Sequence, residues 1–382
     1  MSVPVVLVAG LHGPARTVLV DRLLREHPGA VAVHHDLRAI TEGVAGRVVR
    51  DARAVIDRTD VPIAHGCVSC TVREDLVPVL LHYAPVTPLL IADLWDCVEP
   101  RAVAEALDCA AVAGRLRLTA VVTALDAEHT PADLCRGDLL RDAGKAGSAG
   151  DGRYVAEVLA RQIEYATALV LPELMPPPLP GVPVEDLALC REILTHLAPT
   201  TPVTVTEESL PRVTDGSLCP GDLALRVDPA TAVLPCDIHT EAVDTVVWRA
   251  RRPLHPARFF DAVDALAAET VRSRGRFWLA NRPDRMLAWD AVAGVVGIED
   301  AGAWLAALPG AAWHELPPIR TLAADLDWCA EHGDRVQHLV FTGPDLDRTR
   351  IHAVLNACLL APGEPTEAVD DPFAAFLDRS EG

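Results

Sequence analysis

Residues 3–9 (VPVVLVA) are an unbroken apolar run that stops at Gly10. This feature narrows the fold most, because a strand apolar at every position must be covered on both faces, as in a parallel sheet. After Thr17 the apolar residues Val18, Leu19, Leu23 and Leu24 return with helical spacing, so the chain opens as strand, tight turn, helix. Similar runs recur at 88–92 (PLLIA), 119–125 (TAVVTAL) and 166–171 (ATALVL), and helical patterns fall near 71–82, 99–113, 153–165 and 184–197. With 202–206 (PVTVT) as a last strand, the alternation predicts an α/β domain with a parallel sheet and helices on both faces.

Three stretches break this rhythm. Residues 137–152 are rich in Gly and Asp and read as a mobile insertion, while 176–183 (PPPLPGVP) reads as a stiff loop. Residues 207–240 mix Pro, Gly and Asp without periodicity and are assigned to the connection between a first domain (1–206) and a second (241–362). In the second, 243–250, 274–281 and 338–343 read as strands, and 256–266 and 347–359 as helices. That pattern predicts a smaller α+β domain with helices on one side. An acidic tail, 363–382, follows. The chain's 382 residues suit two domains, and its 50% hydrophobic content can fill both cores.

Charge and cysteine content restrict the partners. A net charge of −20 repels phosphate backbones and anionic lipid, so neither nucleic acid nor membrane is expected as a direct partner; a protein partner is. Aromatics at 4% also argue against a stacking platform for single strands. No apolar stretch reaches the roughly 18 residues of a membrane span. The first residues lack the basic region of a signal peptide, and the ten cysteines show no disulfide-module spacing. A cytoplasmic chain with reduced thiols is the expectation.

The turn after the first strand, Gly10-Leu-His-Gly-Pro-Ala-Arg-Thr17, has the length and position of a phosphate loop. The usual pattern is G-x-x-x-x-G-K-[ST], in which backbone N–H groups wrap phosphates, lysine adds a point charge and the hydroxyl meets Mg²⁺. Gly10, Gly13 and Thr17 remain. Ala15 replaces the second glycine, at a cost of about 1 kcal/mol if that residue needs a left-handed conformation. Arg16 replaces lysine with a bulkier planar fork, and Pro14 removes a donor. An ordinary strand–turn–helix joint explains these eight residues equally well. Separately, Cys67 and Cys70 form a C-x₂-C half of a zinc site, preceded by His65; buried small hydrophobes at a helix start are the alternative.

Several motifs in order resemble the CobW-type family of P-loop GTPases, which handle metals and often zinc. Residues 66–76 (GCVSCTVREDL) resemble its GCxCC-T-x-R-x-DL motif, 121–127 (VVTALDA) its VVTVVDA strand, and 161–166 (RQIEYA) the helix before the base-recognition loop. Residues 249–256 (RARRPLHP), 276–280 (RFWLA) and 333–343 (GDRVQHLVFTG) resemble its C-terminal domain. The resemblance implies a P-loop fold, GTP with Mg²⁺ and zinc as ligands, and Asp36, His34 or His35 near the thiols. Four departures concern the sites. Ser69 stands for the middle cysteine, Ala92 for a glutamate in 91–100 (IADLWDCVEP), and the switch glycine there is gone; Met175 falls where an aspartate reads guanine. These imply slow or absent hydrolysis and weak nucleotide contact through Gly10, Gly13, Arg16, Thr17 and Asp93.

Two functions follow. The first is a partner-recruiting adaptor in zinc scarcity with an impaired nucleotide site. The chain is similar to a branch of the family that shows comparable decay and recruits a ribosome-hibernation factor. The alternative is an active zinc metallochaperone that couples GTP hydrolysis to metal transfer through Cys67 and Cys70. Elsewhere, the six tryptophans of the second unit read as core, and Arg249, Arg251 and Arg252 as a basic cluster that is either a solvated face or a dock for an acidic partner.

Overall fold

Val5 to Ala9 have no solvent exposure in the computed structural model, which describes residues 2–109, 114–148, 150–174, 185–205, 212–231, 234–316, 318–364 and 371–377. They form β1 (Val3–Ala9) of an eight-stranded sheet. The others are β2 (Val31–Asp36), β3 (Val44–Arg50), β4 (Val55–Pro62), β5 (Leu90–Asp93), β6 (Leu116–Ala124), β7 (Ala168–Leu171) and β8 (Val203–Val205), in the order β4-β3-β2-β5-β1-β6-β7-β8. The strands from β2 to β8 in that order pair in parallel. Antiparallel β3 and β4 extend one edge, so the sheet is mixed rather than parallel throughout. Both mix charged residues among apolar ones, and β4 is largely exposed, so they lack the solid apolar run of a doubly covered strand.

Helix α1 (Gly13–Glu26) buries Ala15, Leu19, Val20, Leu23 and Leu24 against Val6, Val8, Ala120, Val122 and Ala124 on one face of the sheet. The stretch predicted as helix over 71–82 is α2 (Val68–Thr71), a wider π-type turn over Val72–Leu76 and α3 (Val77–Tyr83). Helices α4 (Pro100–Leu107), α5 (Thr130–Asp133), α6 (Val155–Tyr165) and α7 (Glu185–Leu197) follow. On β6 Thr123 points opposite to Val122 and donates its hydroxyl to the Gln162 carbonyl of α6 at 2.7 Å. Helices therefore cover both faces.

The chain divides into two compact units, Met1–Val227 and Asp228–Gly382. Residues 207–240 are not uniformly irregular: α8 (Pro220–Val227) lies in them and packs on α4 and α6 of the first unit. The loop at 176–183, Met175 and most of the acidic tail lie outside the described residues. The 137–152 insertion is pinned rather than loose, with Leu140 fully buried and Leu139 bridged to Tyr154. Distant contacts order it, which its Gly- and Asp-rich composition does not signal.

The second unit holds a six-stranded antiparallel sheet of β9 (Ile238–His239), β10 (Asp244–Ala250), β11 (Arg272–Phe277), β12 (Arg285–Val292), β13 (Val295–Ala303) and β14 (Gln337–Gly343), in the order β13-β12-β11-β14-β10-β9. Helices α9 (Pro256–Ala268) and α11 (Arg348–Cys358) cover one face, packing Phe259 and Leu355 on Trp248, Phe277, Trp289, Leu339 and Phe341. The opposite face is not free of helix: Asp327, at the end of α10 (Pro318–Asp327), meets Arg249 and Arg276 there. Trp248, Trp278, Trp289 and Trp304 are buried as expected, but Trp328 is 44% exposed beside Trp313. No described helix is long and apolar enough to cross a membrane.

Candidate functional site

Strands β5, β1 and β6 are adjacent and parallel, and the chain leaves β1 toward β2 on one side but later adds β6 to β8 on the other. Where strand order reverses in this way, a crevice opens at the carboxyl ends of the strands. Three segments meet there: the turn after β1, residues 93–96 after β5, and residues 126–133 after β6. Gly10 makes the approach feasible. Its φ is +139°, and a Cβ would lie 2.1 Å from the Ala124 carbonyl oxygen, which no other residue could accommodate.

Helix α1 starts at Gly13, so Pro14, Ala15 and Arg16 are already helical. Pro14 sits in the first turn, where a missing N–H costs nothing. Ala15 is not among the residues with positive φ, so the strain expected of it does not arise. The early start instead shortens the backbone that would wrap a phosphate. Arg16 is 3% exposed and turned inward. Its Nε lies 3.2 Å from Asp93 Oδ1 and its Nη2 2.7 Å from Asp96 Oδ1, while Nη1 donates to the Gly10 carbonyl. Every nitrogen of the guanidinium has a protein acceptor. Thr17 is exposed, with its hydroxyl donated to Gly13 O in its own helix at 3.0 Å.

Asp93 also lies beside His34, whose Nδ1 is 3.2 Å from Oδ2. Burial pulls the Asp93 carboxyl up, but His34 and Arg16 outweigh it and hold it below the usual range; burial pulls His34 down, and Asp93 raises it. Asp96 has a second cation, Lys145, whose Nζ also donates to Leu11 O at 2.9 Å. Gln162 fixes this segment by donating to Asp96 O and Val98 O at 2.8 and 3.0 Å. His12 joins the third segment. Its Nδ1 accepts from Asp126 N–H at 3.2 Å, so the ring proton sits on Nε2, 2.8 Å from Asp133 Oδ2. Burial raises Asp133, yet the bonds from His12 and Arg136 leave it lowered.

Cys67 immediately precedes α2 and Cys70 lies within it; Cys70 is buried and Cys67 partly exposed. The Cys70 thiol is pushed up, chiefly by its hydrogen bond with Cys67. His65 is exposed, and among the described residues no group of three His, Cys, Asp or Glu is placed to hold a metal. The neighbours that the resemblance implies are otherwise engaged. His35 Nε2 is 2.6 Å from Asp75 Oδ2, Arg47 is 2.7 Å from Asp75 Oδ1, and Asp36 holds Arg38. Asp75 thus ties the segment after the thiols to β2 and β3.

The sequence reading missed Asp96, His12, Asp133 and Lys145. The first three look unremarkable in sequence, but Lys145 carries a signal, since it is the chain's single lysine. For a polyphosphate, Arg16 does not fit the lysine role because it is buried and turned inward onto Asp93, Asp96 and the Gly10 carbonyl. Lys145 fits it: two of its three N–H donors are engaged, its side chain is 26% exposed, and no side chain caps the first turn of α1.

Fold and site together define an α/β domain with a mostly parallel sheet and a phosphate-loop turn at its switch point, joined to an antiparallel α+β domain. Residues 4–173 match the CobW/HypB/UreG nucleotide-binding domain, and residues 243–359 the cobalamin synthesis protein cobW C-terminal domain. The chain belongs to the CobW family. It is 32% identical to the zinc chaperone Rv0106 of Mycobacterium tuberculosis, across 99% of this chain and 94% of that protein. It is 23% identical to the zinc-regulated GTPase metalloprotein activator 1 of Dictyostelium discoideum, across 95% and 81%. The zinc-bound YjiA GTPase of E. coli aligns over 94% of this chain and all of its own, at 15% identity and a TM-score of 0.38.

Proposed function

We propose that this chain is a zinc-linked CobW protein of the cytoplasm with an impaired nucleotide site, which acts in zinc scarcity by recruiting a protein partner, a ribosome-hibernation factor being the candidate. The inward-turned Arg16 is the observation that carries this reading. Phosphoryl transfer depends on charge poised for the transition state, and the loss of one such group costs about 10²–10³ in rate. A guanidinium neutralised by Asp93 and Asp96 offers little of it. The zinc link draws on the names of two relatives and on the Cys67/Cys70 pair.

Purified protein should turn GTP over slowly or not at all, and the tagged protein should retain a translation-linked factor from zinc-starved cells but not from replete ones. Brisk turnover, or a pulldown that returns no such component, would overturn the reading. The second reading, an active zinc metallochaperone, is favoured by the name of the 32% identical relative. It requires stoichiometric zinc on Cys67 and Cys70 together with GTP turnover that depends on both thiols.

A further inference from the structure

Among 34 Lys and Arg residues, Lys145 is the only lysine. On a solvated surface the two residue types are nearly equivalent, but in a confined site they are not. An ammonium is a compact point charge with three rotatable donors, whereas a guanidinium is a wide plane. The one ammonium of this chain meets the phosphate-loop turn, donating to Leu11 O at 2.9 Å and pairing with Asp96. It arrives from the 137–152 segment, more than a hundred residues after the loop in sequence.

We propose that Lys145 is the residue of this site that recognises the phosphates of a nucleoside di- or triphosphate, in the place where the loop's own sequence supplies Arg16. Three observations support it. Arg16 is 3% exposed and turned inward, with an acceptor on each nitrogen, whereas the Lys145 side chain is 26% exposed and has a third N–H beyond the two that are engaged. Its counter-ion Asp96 is exchangeable: that carboxylate is also held by Arg16, so an incoming phosphate oxygen can replace it on Lys145 without leaving Asp96 unpaired. The backbone that carries the ammonium is also held in place. The backbone N–H of Lys145 bonds Leu140 O at 2.8 Å, Leu140 is fully buried, and the backbone N–H of Gly147 bonds Asp151 Oδ2 at 2.9 Å, with Asp151 held in turn by Arg153. This assignment rests on membership of the nucleotide-binding family, not on partner recruitment.

A single lysine makes the test site-specific. In an acyl-phosphate derivative of GTP, the ε-amine attacks the acyl carbon and forms an amide; the carbon–oxygen bond to the terminal phosphate breaks, GTP departs with the electron pair, and the amine proton passes to solvent. Mass spectrometry of full-length protein should find the acyl group on Lys145, suppressed by GDP, GTP or pyrophosphate. Calorimetry with GDP and with pyrophosphate should show binding weakened about ten- to a hundredfold in Lys145→Met, as loss of a charged hydrogen bond implies. Lys145→Arg should recover only part of it. Unfolding midpoints check the fold of both variants, and the labelling of unmodified protein stands independently of them. The proposal is overturned if Lys145 is not labelled, if labelling is not suppressed by phosphates, or if Lys145→Met binds as tightly as the parent. Absence of all nucleotide and pyrophosphate binding would remove this assignment and leave the recruiting role intact. Fast hydrolysis with Lys145 labelled would do the reverse.

Discussion

His338 on β14 lies directly between Arg249 of β10 and Arg276 of β11 in the sheet register. Its Nδ1 is buried and has no hydrogen-bond partner among the described residues. Burial, reinforced by the positive charges of Arg276 and Arg249, pushes it down to about 3. The folded protein therefore holds this ring neutral, while the unfolded chain takes up a proton near 6.5, so stability is full above 6.5 and is lost as pH falls toward 3. The slope is about 1.4 kcal/mol per pH unit. His338→Phe keeps an aromatic of similar shape that cannot titrate. Urea unfolding read by tryptophan emission should show the parent losing about 2 kcal/mol relative to the variant between pH 6.5 and 5. Parallel pH profiles would mean that the native ring is protonated.

Among elements, the 137–152 segment departs furthest from its composition. Gly147 packs so closely that a Cβ would lie 2.6 Å from Val68 Cγ2 and 2.8 Å from Cys97 Sγ. Val68 follows Cys67 in the thiol turn, so this segment touches both the phosphate-loop turn, through Lys145, and the thiol pair. Gly147→Ala should therefore cost about 1–3 kcal/mol by overpacking and should alter the rate at which iodoacetamide modifies Cys67. Gly150→Ala, with nothing within 4 Å of its Cβ, should do neither. Equal unfolding midpoints and alkylation rates for the two variants would show that the contact is not tight. The same segment marks what local pattern reveals. β1 was readable because burial on both faces leaves a solid apolar run, and Cys67 and Cys70 because their spacing is itself the motif. β3 and β4 escaped because strands left partly or largely exposed carry charged residues that interrupt the apolar run. The ordering of 137–152, the turning of Arg16 toward Asp93 and Asp96, and the engagement of His35 and Asp36 away from the thiols all involve contacts that no local period encodes.

At the scale of the whole molecule, a net charge of −20 decides which polymers can approach. The exception raised by the sequence was the basic run at Arg249, Arg251 and Arg252. In the fold it is not a free patch: Arg249 pairs with Asp327, Arg251 donates to the Asp327 carbonyl, and Arg252 donates to Leu360 O at 3.0 Å. Other arginines are held likewise, Arg47 by Asp57 and Asp75, Arg153 by Glu99 and Asp151, and Arg272 by Asp290. Counter-ion release from RNA needs several cations aimed at phosphates, and its strength falls steeply with salt. Arginines already engaged within the protein are poorly placed to release counter-ions, so weak direct affinity for naked RNA is the expected outcome. Filter binding with naked ribosomal RNA should therefore give no retention at about 0.15 M salt and no appreciable gain on lowering it, while salt-dependent retention with a steep logarithmic slope would show that a cationic face exists and that direct contact with RNA must be restored as a mode of recruitment.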